Sequence, residues 1–394
     1  GIEDSVSTSL TNRLSESLGI SDTVNALTGL EAELTESLGM TDVVTPSKIS
    51  SIDFNVQRDC TTIPDGASSK TLTAGVDYTA PQGEAFVRIA NTRLTGMGNT
   101  DGGSTQEVER FTAYISDASN LSNQIVFSRT GSPSADDTSI CYEIIDYQGP
   151  SDGENAIKVL DVNTVTYSSS SLTVSGSAVS PSDSSDVVIF ITGQAGKETG
   201  SVDWQETLST AELVSGTKPT FTRGATDGGD DTNQLSYAVV EFTGSNWNVQ
   251  RYLHSLTTTG SQEDIDLTTV GLTDLGDITK SFLHTQFKTD AQGLNDIGVE
   301  AWIKDTETLS VFAESGADLD GDVVFWIVEN TQPVGKIMKV QHLSNSDFDH
   351  NDSQFTTTMN APADFDEVNS LSTSSIMGES SRSTGTGKAY PRGS

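Results

Sequence analysis

The sequence predicts a mainly β protein in which tandem antiparallel β-sandwich domains follow a short helical N-terminal stalk. Short segments rich in Val, Ile, Phe and Tyr alternate with turns rich in Gly, Asp and Asn, a pattern typical of antiparallel strands. A hairpin motif recurs at a spacing of about 90 residues, which indicates one folding unit copied in tandem. Residues 1–45 differ from the rest because they carry leucines at helical spacing.

Acidic side chains dominate the charge of the chain. Its 394 residues include 56 Asp and Glu against 21 Lys and Arg, for a formal net charge of −35 at pH 7. Such a surface repels nucleic acid and anionic membranes, so we expect no nucleic-acid partner and no membrane insertion. In molar salt the Debye length falls to about 3 Å, which screens the self-repulsion of the carboxylates. The composition therefore indicates a halophilic protein, with an acidic marine protein as the alternative.

The N-terminal segment contains its own duplication. Residues 15–24 match residues 35–44, and each of these copies contains the last of three leucines spaced four apart, which would lie on one face of a helix. Short helices are marginal alone, so the stripes must be buried. Self-association or docking into a partner assembly would bury them, as would packing against the chain's own first β domain. The leucines are Leu10, Leu14, Leu18, Leu30, Leu34 and Leu38.

The rest of the chain consists of copies of one β unit. Each copy ends in an apolar strand, an acidic turn and a second apolar strand that closes in a carboxylate, the signature of a hairpin. The closing strands are Tyr142–Asp146, Tyr237–Glu241 and Phe325–Glu329, and the opening phrases are Val56–Arg58, Val159–Asp161 and Val249–Arg251. The predicted domains are the stalk at 1–45, β-sandwiches at 46–155, 156–247 and 248–338, and a partial fourth repeat with a flexible tail at 339–394.

The fourth copy opens with Val340–His342 and has no closing hairpin. A half-formed sandwich would leave strand edges open, so we expect either a native product that continues beyond Ser394 or a neighbouring subunit that completes the sheet. The chain starts at Gly1 without an initiator Met, which favours processing or a longer product.

The phrases Tyr237–Gly244 and Asn248–Arg251 resemble β-repeats in virion proteins of tailed viruses, notably those that infect haloarchaea and marine hosts. The resemblance covers roughly residues 50–394. It implies a tail fibre, tail spike, baseplate or capsid-turret protein on the virion surface. It also implies a homo-oligomer, with a trimer favoured, and no shared catalytic residues.

Two acidic turns are candidate Ca²⁺ sites, since this ion takes six to eight oxygen ligands. Neither turn supplies the final Glu of an EF-hand loop, and a plain hairpin turn also requires Asp and Gly. A solvated turn is therefore the alternative, and no other cofactor is expected. The candidate ligands are Asp227 and Asp230 in one turn, and Asp318, Asp320 and Asp322 in the other.

The two cysteines lie on the first and last strands of the first copy, at Cys60 and Cys141. If these strands are neighbours, a disulfide forms outside the cell. Its long loop would then stabilise the fold by about 4 kcal/mol in the chain-entropy model. The alternative is a pair of buried free thiols.

No sequence motif indicates an enzyme. The chain has no nucleophile elbow, P-loop or dinucleotide fingerprint. Arg129 and Arg223 could form ion pairs with Asp146 and Glu241 across the sheet, although the third copy has Glu314 at the position of the arginine, which breaks that pairing. Two tryptophans, Trp204 and Trp247, are candidates for stacking on sugars, with a place in the core as the alternative.

We therefore expect a virion structural protein, part of a tail fibre or other surface appendage of a tailed haloarchaeal virus. The stalk would bind other virion proteins, the sandwiches would act as spacers, and the loops would contact a host-surface glycan or S-layer. One alternative is a cell-surface adhesin or filament subunit of a halophile, whose copies donate strands to one another. The other is a glycan-binding or depolymerising spike module.

Overall fold

The computed structural model describes residues 53–95, 112–129, 137–195, 204–226, 233–257, 261–289, 299–313 and 321–332, with 15–16, 25–27, 35–36 and 45–47 near the N-terminus. These residues form a mainly β structure with several antiparallel sheets. The chain divides into a unit of residues 1–53 and a unit of residues 54–394.

The described residues of the N-terminal unit are four short strands. β1 (Ser15–Glu16) pairs in parallel with β3 (Thr35–Glu36), and β2 (Asn25–Leu27) pairs in parallel with β4 (Thr45–Ser47). Ser15 lies opposite Thr35, so equivalent positions of the 20-residue repeat are in register.

The helical stalk is not supported. The segments 15–16 and 35–36, which fall inside the predicted helices, are extended and paired with each other. An in-register repeat can satisfy backbone groups between its copies, and leucine spacing does not distinguish that solution from a helix. The six leucines expected to drive oligomerisation lie outside the described residues.

From Phe54 onward, one pattern of strand pairing occurs three times. In each repeat, the first, sixth and third strands form a three-stranded antiparallel sheet with the sixth at its centre. The second, fifth and fourth strands form another such sheet with the fifth at its centre. We call the segments repeat 1, repeat 2 and repeat 3.

The strands of repeat 1 are β5 (Phe54–Ile63), β6 (Ser69–Thr73), β7 (Glu84–Thr95), β8 (Thr112–Asp117), β9 (Gln124–Ser128) and β10 (Asp137–Tyr147). Those of repeat 2 are β11 (Lys158–Thr166), β12 (Thr173–Ser175), β13 (Val187–Ala195), β14 (Ser209–Val214), β15 (Lys218–Arg223) and β16 (Gln234–Glu241). Those of repeat 3 are β17 (Trp247–Ser255), β18 (Ser261–Asp266), β19 (Ser281–Thr289), β20 (Val299–Ile303), β21 (Thr308–Ala313) and β22 (Gly321–Asn330). A single-turn helix, α1 (Trp204–Thr207), precedes β14, and 3₁₀ turns at Ser184–Asp186 and Ile278–Lys280 precede β13 and β19.

The closing strand of each repeat is apolar because it is buried on both faces. In β16, Val239 and Val240 are both 0% exposed although their side chains point to opposite sides of the sheet. One side faces the other sheet of the same repeat, since residues of both sheets share a core cluster. The other side faces neighbouring repeats, because one cluster contains residues of all three.

The carboxylate that closes each repeat holds the loop before the third strand. All three carboxylates are buried and accept backbone N–H groups, which explains why an acidic residue recurs at this position. The donors are Gln82 and Gly83 to Asp146 (3.0 and 2.9 Å), Asp183 to Glu241 (2.8 Å), and Gly276 and Asp277 to Glu329 (2.6 and 3.1 Å).

The predicted ion pairs from Arg129 and Arg223 to these carboxylates are wrong. Both arginines are buried at the end of the fifth strand, which belongs to the second sheet, whereas the carboxylates lie at the end of the central strand of the first sheet. Arg129 Nε donates to Ala67 O at 2.8 Å, and Arg223 Nε donates to Ser171 O at 3.0 Å. Each arginine therefore fixes the loop after the first strand of its repeat.

Candidate functional site

The first junction, between repeats 1 and 2, is a continuous sheet. Ala113 on β8 pairs with Gln194 on β13, and Thr112 pairs with Ala195. Gly193 leaves room for this close approach because it has no side chain. A Cβ built there would lie 2.9 Å from Ile89 Cδ1 and 3.1 Å from Tyr114 Cα.

The second junction, between repeats 2 and 3, places the equivalent strands together but joins them through a side chain. β14 lies beside β19, and Gln286 on β19 fills the space between repeats. Its Oε1 accepts the Ala211 N–H at 2.8 Å, and its Nε2 donates to Ile189 O at 2.6 Å. One amide therefore links the third and fourth strands of repeat 2 to the third strand of repeat 3.

At both junctions, the backbone N–H at one equivalent position of the fourth strand donates to the next repeat. Ile115 lies opposite Phe127 on its fifth strand, and Ala211 lies opposite Phe221, so the two residues are equivalent. The Ile115 N–H donates to Ser236 Oγ of repeat 2 at 3.1 Å. The fourth strand of each of these repeats thus offers one N–H to a side chain of the following repeat.

The third strands of the three repeats meet in the shared core cluster. Phe86 stacks on Phe190 with ring centroids 5.0 Å apart, and Phe190 contacts His284 at 4.9 Å. Burial, and to a smaller extent the charge of Arg88, lower the pKa of His284 to about 3. His284 therefore belongs to this interface as a neutral aromatic group.

Each junction also carries a groove. A cavity of about 320 Å³ at the first junction is lined by β8, β11 and the loop after β8, including Asp117 and Asn163. A cavity of about 470 Å³ at the second junction is lined by β14, β17, β22, the turn before β13 and the loop after β18. The larger groove is our candidate binding site, and we call it the junction groove.

Arg251 and Trp326 carry the chemistry of the junction groove. The guanidinium carbon lies 5.2 Å from the Trp326 ring centroid, and Nη2 donates to Ala211 O at 3.2 Å. Burial lowers the pKa of Arg251, and the charge of Glu212 opposes that shift. Among the described residues, Arg251 Nε and Trp326 Nε1 are buried without an acceptor. The arrangement can donate hydrogen bonds to an acceptor group.

The equivalent row in repeat 1 is an ion-pair network. Glu143 lies between Arg58 and Arg88 in register, as Trp326 lies between Arg251 and His284. The Glu143 carboxylate accepts from Arg58 Nε at 2.7 Å and from Arg88 Nη2 at 2.5 Å. The same backbone position thus holds a charged network in one repeat and a cation–π pair in another.

The two cysteines lie directly opposite each other on β5 and β10. Cys60 and Cys141 are register partners with Cα atoms 4.0 Å apart, and they form a disulfide. The first and last strands of the repeat are neighbours, as the sequence analysis expects.

Four of the five candidate Ca²⁺ ligands, Asp227, Asp230, Asp318 and Asp320, lie outside the described residues. Asp322 is described, and it pairs with Lys288 at 2.8 Å and accepts from Ser255 Oγ at 2.6 Å. Burial raises its pKa, but the hydrogen bonds from Lys288 and Ser255 outweigh that effect and the net pKa is lowered. Within the described ranges, no group of three or more His, Cys, Asp or Glu residues is arranged to hold a metal.

Of the two tryptophans that are candidates for stacking on sugars, the structure describes the side chain of Trp247 only. Trp247 packs against the rings of Phe54 and Phe242, at 6.1 and 5.2 Å, so its ring belongs to the boundary of the core. The side chain of Trp204 lies outside the described residues.

The sequence analysis missed the residues that build the junctions. Gly193 interrupts the apolar strand Val187–Ala195, and Gln286 interrupts Ser281–Thr289. A glycine inside a strand signals close approach of another backbone, which is the available sequence signal for the first junction. Trp326 lies on a predicted closing strand, and the structure adds that its ring packs in the core cluster that residues of all three repeats share.

No family model, curated protein or solved structure matches this chain. In the part of the chain that the structure describes, no helix has the length and apolarity needed to cross a membrane.

Proposed function

We propose that this chain is a non-enzymatic structural protein of an extracellular or virion surface, built from two-layer β-sandwich repeats. The observation that carries the proposal is the repeated junction, in which the fourth strand of one repeat bonds to the next repeat through Ile115 and again through Ala211. Junctions of this kind join successive repeats into one array, a property that a surface appendage requires.

More specifically, we propose that the protein is part of a tail fibre or other appendage of a tailed haloarchaeal virus. The formal charge of −35 supports a high-salt setting, since molar salt screens repulsion between copies. The disulfide supports an oxidising location, because such bonds persist outside the reducing cytosol. Homo-oligomers and other virion proteins are the proposed partners.

The direct test is proteomic and microscopic analysis of purified particles and of host cells. Detection of the protein in virions, with antibody labelling on an appendage, supports the assignment. Labelling of uninfected cell surfaces, together with filament formation by the purified protein, supports the adhesin alternative. A melting temperature that does not change between low and molar salt argues against adaptation to brine.

The junction groove favours glycan binding as a second function. It combines a cation–π pair with two buried donors that lack acceptors among the described residues. Retention of the protein on immobilised host polysaccharide, and loss of retention in Arg251→Ala, would support it. Equal retention of the variant and the native protein argues against the groove as the binding site.

A further inference from the structure

We propose that the outer edge of β20 is a docking site for the partial fourth repeat, residues 339–394 of the same chain. The inference is independent of the virion assignment. It follows from the two junctions, which show where each fourth strand meets the next repeat.

Ala301 on β20 is equivalent to the two junction donors. It lies opposite Val311 on β21, as Ile115 lies opposite Phe127 and Ala211 lies opposite Phe221. All three residues are almost fully buried, at 1% exposure for Ala301, 2% for Ile115 and 1% for Ala211. The fourth strands of the three repeats therefore present the same backbone position in the same buried setting.

The Ala301 N–H points away from β21. Alternate N–H groups of an antiparallel strand face opposite edges, and the equivalent groups in repeats 1 and 2 donate outward to the next repeat. β20 is the edge of its sheet, and among the described residues no side chain accepts from Ala301. Buried backbone N–H groups are almost always paired, so an acceptor from elsewhere is expected.

Residues 339–394 are the occupant that the spacing favours. Val340–His342 matches the opening phrase of a repeat. The third strand begins at Glu84 after Val56 in repeat 1, and at Ser281 after Val249 in repeat 3. The same spacing from Val340 brings a third strand to the neighbourhood of Asn369–Thr373, and the third strand contacts the preceding repeat at both junctions.

The test is hydrogen–deuterium exchange on the full chain. The peptide that covers Val299–Ile303 is expected to be protected, and a proline in the docking strand, Leu371→Pro, is expected to accelerate its exchange by about tenfold or more. The peptide that covers Ser209–Val214 reports the occupied edge of β14, and it should keep its exchange rate. The matched control is Thr384→Pro, which leaves the docking strand unchanged and should not alter either peptide.

Three outcomes would overturn the proposal. The first is fast exchange of Val299–Ile303 in the native chain, and the second is slow exchange that Leu371→Pro does not change. The third is protection that rises with protein concentration from about 1 to about 100 µM, which would assign the edge to a second copy of the chain by mass action.

Discussion

The two junctions solve one packing problem with different chemistry. At the first junction, Gly193 leaves room for β8 to pair directly with β13. At the second junction, Gln286 occupies the corresponding space and replaces direct pairing with a bridging amide. In both cases a buried N–H on the fourth strand finds an acceptor in the next repeat.

The difference teaches that the repeats share a docking geometry and vary the side chains that complete it. Buried backbone groups must be paired, so the donor position is constrained, whereas any acceptor of suitable reach can complete the bond. Ser236 supplies a hydroxyl at the first junction and Gln286 supplies an amide at the second. Four experiments test these differences between the two junctions.

The largest effect is expected from Gly193→Val at the first junction. The new side chain would meet Ile89, Ser236 and the backbone of Tyr114, at distances of 2.9, 3.0 and 3.1 Å already for its Cβ. Overpacking should lower the free energy of unfolding by about 3 kcal/mol, measured by urea denaturation in high salt. The control, Ile191→Leu on β13, conserves the side-chain volume and should cost less than about 1.5 kcal/mol. Similar losses for both variants would contradict the tight approach at Gly193.

Gln286→Leu should have the next largest effect. It leaves the Ala211 N–H and the Ile189 carbonyl without their partner, and we expect a loss of about 2 kcal/mol in the free energy of unfolding. At the first junction, Ser236→Ala removes the hydroxyl that accepts from the Ile115 N–H and from the Thr192 hydroxyl, and only the first of these bonds crosses the junction. It should cost about 1 kcal/mol. If Ser236→Ala costs as much as Gln286→Leu, the amide does not act as a double bridge.

The third experiment uses pH to probe the shared cluster at His284. The unfolded histidine binds a proton near pH 6.5, whereas the folded pKa is about 3. The unfolded state therefore binds more protons between these values, and stability is full above pH 6.5 and falls as the pH drops. At pH 5.5 the loss should be about 1.4 kcal/mol.

The variant His284→Phe should flatten this slope between pH 7 and pH 5.5. His254→Gln is the control, because His254 lies outside the shared cluster and contacts Glu263 at 3.0 Å. Chemical denaturation across this pH range measures both variants. An unchanged slope in His284→Phe would show that another group carries the pH dependence.

The smallest effect is expected from Arg251→Lys in the junction groove. Lysine keeps the charge but loses the planar group over Trp326 and the bond from Nη2 to Ala211 O, for a cost of about 1 kcal/mol. Arg251 and Gln286 both bond to Ala211, so their variants should not be additive in a double-mutant cycle. Strict additivity would indicate that the two side chains act independently.

Much of the fold within the repeats could be predicted because it depends on local pattern. The closing strands, their turns and the phrase around Gln57 and Gln250 recur at similar spacing. The structure explains the glutamines, since Gln57 pairs with the backbone of Thr79 and Gln250 pairs with that of Thr273 in the same two-bond manner. In the apolar strand that precedes the closing strand of repeat 3, the buried position falls on Val311 and not on its aromatic neighbour Phe312.

The N-terminal helices and the junctions could not be predicted in the same way. Leucines four apart are compatible with a helix, but pairing between repeat copies is a long-range contact that spacing does not reveal. Likewise, the reach of Gln286 to two strands of repeat 2 depends on where the repeats dock.

The sequence by itself determined that this protein is a tandem β array with an acidic surface, because periodicity and charge are properties of the chain. It also placed Cys60 and Cys141 on the first and last strands of one copy. How the repeats join is visible only in the tertiary structure. The roles of Gly193 and Gln286 depend on backbone groups of other repeats that lie next to them. The side chains at equivalent positions differ between repeats, and each repeat packs against different neighbours.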